Sequence, residues 1–241
     1  MKAIILAAGI GSRIHPLTDN CPKNLLKIYD KTILEMMISH IQDCHINEIV
    51  FVTGYLEEQI IEYVNINFPD LKAYFVTNEK YAETNTGFSL LLAKDFVKNS
   101  DFIKFDADVV FDKEILKKLI ECPYENALCI DKNIHLNVEE IKVIIDDKNK
   151  ILKASKTVDP QKAIGESIGI EKIGKNTAKL LFQELEEMMK DKKNHQEYYE
   201  VAYERLIKKG EFFHALDITG LVWVEIDTKE DFELAKNIQK F

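Results

Sequence analysis

Lys2–Ala7 is an apolar run of strand length, and Gly9 and Gly11 follow it almost at once. A run this short, stopped by glycines, reads as a strand buried on both faces. Such a strand needs helices above and below it, and the chain supplies them in alternation. Thr32-Ile-Leu-Glu35 has the form of a capping box, and Ile33, Met37, Ile41 and Cys44 then recur at helical spacing. Ile49–Thr53 predicts a second strand, closed by Gly54-Tyr55. A helix over about Glu57–Val64 leads to a strand at Lys72–Thr77. Thr86 is placed to cap a helix running to about Val97. Asp101–Phe105 predicts a fourth strand, and Asp112 caps a helix to about Ile120.

The rhythm changes after Ala127. Ala127–Asp131, Glu140–Asp146 and Ile151–Ser155 predict strands, with Asp146-Asp-Lys-Asn149 as a hairpin turn. Ile164–Ile173 is another extended stretch, while Asn176–Lys190 and Glu197–Lys208 read as amphipathic helices. Strands at Phe212–Asp217 and Leu221–Asp227 follow, and Thr228-Lys-Glu-Asp231 caps a last helix. No linker rich in Pro or Gly interrupts the 241 residues, and there is no internal repeat. The expectation is one α/β domain over residues 1–241: a Rossmann-like mixed, mostly parallel sheet flanked by helices.

Charge and cysteine usage narrow the function classes. The net charge of −9 argues against a broad nucleic-acid surface, which needs basic residues to displace counterions. The longest apolar runs, Ile4–Ala8, Ser89–Ala93 and Leu221–Val224, are far short of the roughly 20 residues that span a bilayer. The apolar start also lacks the length of a signal peptide, so the expected location is the cytoplasm. Cys21, Cys44, Cys122 and Cys129 show no CxxC spacing and read as free thiols. His15, His40, His45, His135, His195 and His214 are scattered without an HExxH pattern, which argues against zinc.

The first turn carries the chemistry. Gly9 and Gly11 let a phosphate approach the backbone, and the successive N–H groups of Gly9, Gly11 and Ser12 make an anion cradle. Arg13 adds a fork suited to phosphate oxygens, and Lys23, after Pro22, brings a second cation within reach. The turn matches neither GxGxxG nor GxxxxGK[ST]. Instead, Lys2-Ala-Ile-Ile-Leu-Ala-Ala-Gly-Ile-Gly-Ser-Arg13 with Pro22-Lys23 resembles the signature of the nucleotidyltransferases that activate phosphorylated sugars and alcohols. Phe105-Asp106-Ala107-Asp108-Val109 and Glu225-Ile226-Asp227-Thr228 resemble that family's two metal-binding segments. Asp108 and Asp227 each close a predicted strand, where ligands collect in α/β sheets, and two carboxylates suit Mg²⁺. Asp106 points to the same side of its strand as Asp108 and reads as its partner.

The resemblance implies the reaction NTP + R–phosphate → NDP–R + pyrophosphate. It places Lys23 and Arg13 in catalysis, Arg13 on the β,γ-phosphates and Lys23 on the α-phosphate and attacking group. Leu6, Ala7, Ala8, Gly9, Gly11, Ser12, Arg13, Gly54, Tyr55, Asn85, Thr86 and Asp106 fall to the nucleotide, and Mg²⁺ to Asp108 and Asp227. Residues 1–125 are then the nucleotide-binding half and 126–241 the acceptor-binding half. Tyr81-Ala-Glu-Thr-Asn85-Thr-Gly-Phe88-Ser-Leu90 resembles a segment of the small cytidylyltransferases, with Thr86 in place of an Asn and Phe88 in place of a Tyr. Gly165-Glu166-Ser-Ile-Gly169 resembles a segment of their acceptor pocket. The implied substrates are CTP and a small phosphorylated alcohol or amine, with Tyr81 and Glu166 on the acceptor. For phosphocholine, Tyr55, Tyr81 and Tyr198 are possible walls of an aromatic cage. A hexose-1-phosphate nucleotidyltransferase using dTTP, UTP or GTP, and a silent nucleotide-binding regulator, are the alternatives. Monomer and homodimer stay open.

Overall fold

In a computed structural model the described residues are 1–133, 136 and 140–238. His135 lies outside them. In chain order the elements are β1 (Lys2–Ala7), β2 (Lys27–Ile28), β3 (Lys31–Thr32), α1 (Ile33–Asp43), β4 (Glu48–Thr53), α2 (Glu57–Asn67) and β5 (Lys72–Thr77). Next come α3 (Thr86–Leu92), α4 (Lys94–Val97), β6 (Phe102–Asp106), β7 (Val109–Phe111) and α5 (Lys113–Glu121). The second half holds β8 (Ala127–Asp131), β9 (Lys142–Ile145), β10 (Ile151–Ser155), β11 (Gly165–Ile173) and α6 (Lys175–Met189). It ends with α7 (Glu200–Lys208), β12 (His214–Asp217), β13 (Trp223–Glu225) and α8 (Lys229–Asn237).

The main sheet runs β10-β9-β11-β6-β1-β4-β5, with β8 pairing β11 and β12. The strands β6-β1-β4-β5 are parallel, and so is the β8–β12 pair. Antiparallel pairing gathers around β11, which opposes β6, β8 and β9. This is the expected mixed sheet, and alternation along each strand builds its two covers. Ala3, Ile5, Ile49, Phe51 and Phe105 face α1, α2 and α5, while Ile4, Leu6, Val50 and Val52 face α3, α6 and α7.

Several boundaries differ from expectation, each for a local reason. The helix placed at Thr86–Val97 divides at Ala93, and its cap is Asn85, whose Oδ1 accepts from Thr86 N at 2.8 Å. The helix expected from Glu197 starts at Glu200. The backbone before it serves another purpose: Asn85 N donates to His195 O and Gly87 N to Glu197 O, docking α3 there. The Thr32–Glu35 box is half made. Thr32 accepts from Glu35 N, but the Glu35 carboxylate accepts from the Tyr63 hydroxyl at 2.6 Å. Thr228–Asp231 is a complete capping box. The strand expected over Leu221–Asp227 is shorter, and its partner β7 had no sequence signal of its own.

That β7–β13 ribbon is what assembles the site. Glu225 pairs with Val109, and Ile226 N donates to Asp108 O at 2.9 Å, so Asp227 is brought beside Asp108 across about 120 residues of chain. No helix among the described residues is long and apolar enough to cross a membrane.

Candidate active site

A cleft of about 1070 Å³ opens at the carboxyl ends of β1 and β6, beside the point where strand order reverses. Leu6, Ala7, Ala8, Gly9, Gly11, Ser12 and Arg13 line one wall. Gly11 has φ 68°, a left-handed backbone that suits glycine, and a Cβ there would press on Thr18 and Lys23. The turn is fastened from behind by Thr18, whose hydroxyl donates to Gly11 O at 2.9 Å. Tyr81, Asn85 and Thr86 continue this end of the cleft. Asn78, which the sequence did not single out, holds that segment by donating to Thr84 Oγ1 at 2.9 Å and Ser89 Oγ at 3.0 Å.

The structure does not bring Gly54 and Tyr55 to the cleft wall. A Cβ on Gly54 would strike Tyr81, and Tyr55 donates its N–H to Ala8 O and its hydroxyl to the carbonyls of Thr18 and Asp19. Both brace the Gly9–Arg13 turn from outside. Tyr55 therefore makes no wall of an acceptor cage, and its ring meets Tyr81 edge-on at 6.2 Å.

The charged centre gathers the residues expected of it. Lys23 Nζ lies 2.5 Å from Asp108 Oδ2 and 3.1 Å from Asp227 Oδ1, and Arg13 Nη2 lies 2.7 Å from Asp227 Oδ2. Burial works to lower the Lys23 pKa, but Asp108 and Asp227 outweigh it and hold it above its ordinary value. Glu225 joins them: one carboxylate oxygen from each of Asp108, Glu225 and Asp227 lies within 4.8 Å of the others. Desolvation, then the charges on Asp108 and Asp227, push the Glu225 carboxyl up to about 9. Its signal was present in Glu225-Ile-Asp227, since residues two apart on a strand share a face.

Beneath this centre lies a buried polar cluster that sequence reasoning missed. Lys104, fully buried on β6, lies 2.9 Å from Asp106 Oδ2 and 2.9 Å from Glu171 Oε2 on β11. It also donates to the Tyr199 hydroxyl and lies 3.8 Å from that ring's centre. Tyr199 in turn donates to Asp106 Oδ2 at 2.8 Å. Asp106 lines the cleft and fits against β11 only because position 169 is glycine, at φ 74°, where a Cβ would collide with its carboxylate. The β11 register shifts between Ser167 and Glu171, a bulge beside the site.

Glu166 and Ser167 of the bulged strand line the same cleft, as do Tyr198 and Glu200 at the start of α7. Burial first, then Glu140 and Asp131, push the Glu166 carboxyl up to about 8. Glu200 is likewise pushed up to about 8 by burial, against the pull of Lys104.

Comparison with known proteins fits this arrangement. The family described as nucleotidyl transferase matches residues 2–128. The chain belongs to that family. It is 30% identical to the CTP:phosphoglutamine cytidylyltransferase of Campylobacter jejuni over 97% of this chain and 98% of that one. It is 39% identical to the choline-phosphate cytidylyltransferase of Streptococcus pneumoniae over 48% of each chain. The bifunctional protein GlmU of Methanococcus maripaludis is 32% identical over 98% of this chain, which spans about half (54%) of that relative. Among solved structures, the CTP:phosphocholine cytidylyltransferase LicC of Streptococcus pneumoniae superposes with a TM-score of 0.80 at 25% identity, covering 99% of both chains.

Proposed function

We propose that this nucleotidyltransferase moves CMP from CTP to a small phosphorylated alcohol or amine and releases pyrophosphate. The observation that carries the reading is the convergence of Arg13, Lys23, Asp108 and Asp227 beside the Gly9–Arg13 turn in one cleft. The relative matched along almost its whole length uses CTP by name. In this reading residues 1–125 hold the nucleotide and 126–241 the acceptor.

The chemistry needs no side-chain nucleophile. A phosphate monoester ionises a second time near pH 6, so an acceptor oxygen is already charged at neutral pH. That oxygen attacks the α-phosphorus, the bond to the β-phosphate breaks, and pyrophosphate leaves with the electron pair. The barrier is repulsion between anions, which positioned cations lower. Lys23 turns from Asp108 and Asp227 to the α-phosphate, Arg13 takes the departing β,γ-phosphates, and the N–H groups of Gly9, Gly11 and Ser12 complete the cradle.

The donor set fits a divalent cation. Asp108, Glu225 and Asp227 offer only carboxylate oxygens, close together and in excess of the nearby cations, which suits hard Mg²⁺. Asp108 and Asp227 would hold it, and it would supply charge neutralisation at the triphosphate.

The test is pyrophosphate release with CTP, UTP, dTTP, GTP and ATP against phosphocholine, inositol phosphate and glucose 1-phosphate. The expected result is the highest kcat/KM with CTP and a small non-hexose acceptor. A preference for dTTP or UTP with glucose 1-phosphate replaces the reading with a hexose-1-phosphate enzyme. Nucleotide binding without turnover on any acceptor makes the chain a regulator.

A further inference from the structure

The buried Lys104 cluster ends on a side chain that reaches the cleft. Asp106 Oδ2 accepts from Lys104 Nζ at 2.9 Å and from the Tyr199 hydroxyl at 2.8 Å. The Asp106 side chain is nevertheless 23% exposed and lines the cleft, which leaves Oδ1 as its oxygen for a ligand. Both groups that hold Oδ2 are buried, and Gly169 closes a further side, since a Cβ there would collide with it. A carboxylate fixed in this way presents its remaining lone pairs in one direction, which suits recognition of a single donor.

Chemistry and place narrow what that donor is. Among the described residues the carboxylates able to converge on a cation are Asp108, Glu225 and Asp227, and Asp106 is not one of them. With Lys104 and Tyr199 both donating to Oδ2, Oδ1 is an acceptor, and ionised phosphate oxygens have no hydrogen to give it. Asp106 ends β6 and pairs with Leu6 of β1, at the point where strand order reverses. A nucleotide whose phosphates lie on the Gly9–Arg13 turn carries its ribose next to them, and the ribose hydroxyls are its nearest O–H donors. Carboxylates near such switch points take ribose hydroxyls in dinucleotide-binding sheets. We propose, on the nucleotide-binding part of the CMP-transfer reading, that Asp106 accepts from a ribose hydroxyl, with Tyr199 and Lys104 as the residues that position it. The aim of a side chain on β6 then depends on a hydroxyl 93 residues away in sequence.

Calorimetry on the full chain in Mg²⁺, with CTP and its 2′-deoxy and 3′-deoxy forms, tests this without turnover. At least one deoxy form should bind ~5-fold or more weakly than CTP, the size of one hydrogen bond. Asp106→Ala should bring that ratio close to one, and Tyr199→Phe should lower it by about half or more. A Tyr199 that only braced the fold would weaken CTP and its deoxy forms alike and leave the ratio unchanged. Asp106→Ala keeps Lys104 paired with Glu171, so it holds the test open if Tyr199→Phe fails to fold. Equal binding of all three nucleotides by the unaltered chain overturns the inference, as does an undiminished ratio in Asp106→Ala. An undiminished ratio in Tyr199→Phe alone overturns the positioning role. UTP and its deoxy forms are titrated beside them, and pyrophosphate release is measured separately. A ribose preference with UTP bound more tightly than CTP, or with no release, upholds the contact and overturns CMP transfer.

Discussion

In the cleft, Lys23 rests on Asp108 and Asp227, and Arg13 on Asp227, whereas Glu166 and Glu200 each hold a buried oxygen without a hydrogen-bond partner among the described residues. The first group is a set of ion pairs at a solvent-reached surface. In the proposed reaction, triphosphate and a divalent cation exchange with those partners, anion for anion and cation for cation. Glu166 feels Lys142 and Glu200 feels Lys104, but burial outweighs both cations. The Lys104 cluster shows a third arrangement, a buried charge with all its partners built in.

The largest effect should come from that cluster. Lys104→Met strands Glu171, which is fully buried, and Asp106 without their cation, and breaking such a pair costs about 3–5 kcal/mol. Lys23→Met should cost far less in stability, because Asp108 and Asp227 are each 22% exposed and water reaches them. Urea unfolding of the two variants decides it. Equal losses would mean the Lys23 ion pairs are as sealed as the cluster, and the contrast between them would fail.

Next in size is the loss of a carboxylate from the pair proposed to hold the metal. Asp108→Asn or Asp227→Asn should remove about 2–4 kcal/mol of transition-state stabilisation, on the order of 10²–10³ in kcat. Chelation by EDTA should abolish turnover in the unaltered chain. Full turnover in EDTA, or both Asn variants at parent rates, would leave these acids as mere partners of Lys23 and Arg13.

A smaller split should separate the two cations. Lys23→Ala should act chiefly on kcat, because the α-phosphorus changes charge most. The Arg13 side chain is 56% exposed, and its phosphates leave together. Arg13→Ala should therefore raise KM for CTP by ~10-fold, about 1.4 kcal/mol, more than it lowers kcat. Steady-state kinetics with the effects reversed would exchange the two roles.

Much of this site was legible because strand ends and glycine turns leave local marks. Lys2–Ala7, Gly9, Gly11 and Arg13 sit in one short segment, and Asp108 and Asp227 each follow a recognisable strand. What stayed hidden depends on partners far apart in sequence. Gly54 and Tyr55 looked like nucleotide-binding residues, yet they pack against Ala8 and Tyr81 and do not line the cleft. Lys104 did carry a signal, a charge in the middle of Phe102–Asp106, but its meaning needed Glu171 across the sheet and Tyr199 from α7. Glu200 gave none, because its position depends on where α7 begins, and the docking of α3 onto residues 195–197 sets that.

The finest test of the contrast is the proton balance of Glu166. Its carboxyl is pushed up to about 8 by burial, then by Glu140 and by Asp131 on β8, with Asp227 adding to the effect and Lys142 on β9 opposing it. Unfolded, it titrates near 4.5. Between those values the folded chain binds the proton and the unfolded chain does not, so folding stability falls as pH rises through this window. The slope from this one group is at most about 1.4 kcal/mol per pH unit, and it ends above pH 8 where both states are ionised. Glu166→Gln removes the titration. The variant should therefore lose less stability than the parent between pH 5 and pH 8, and the gap should widen steadily across that range. Urea midpoints at pH 5, 6, 7 and 8 measure it. Parallel curves for parent and variant would show Glu166 ionised throughout, held by partners much as Asp227 is held by Arg13, and the two groups would then be alike.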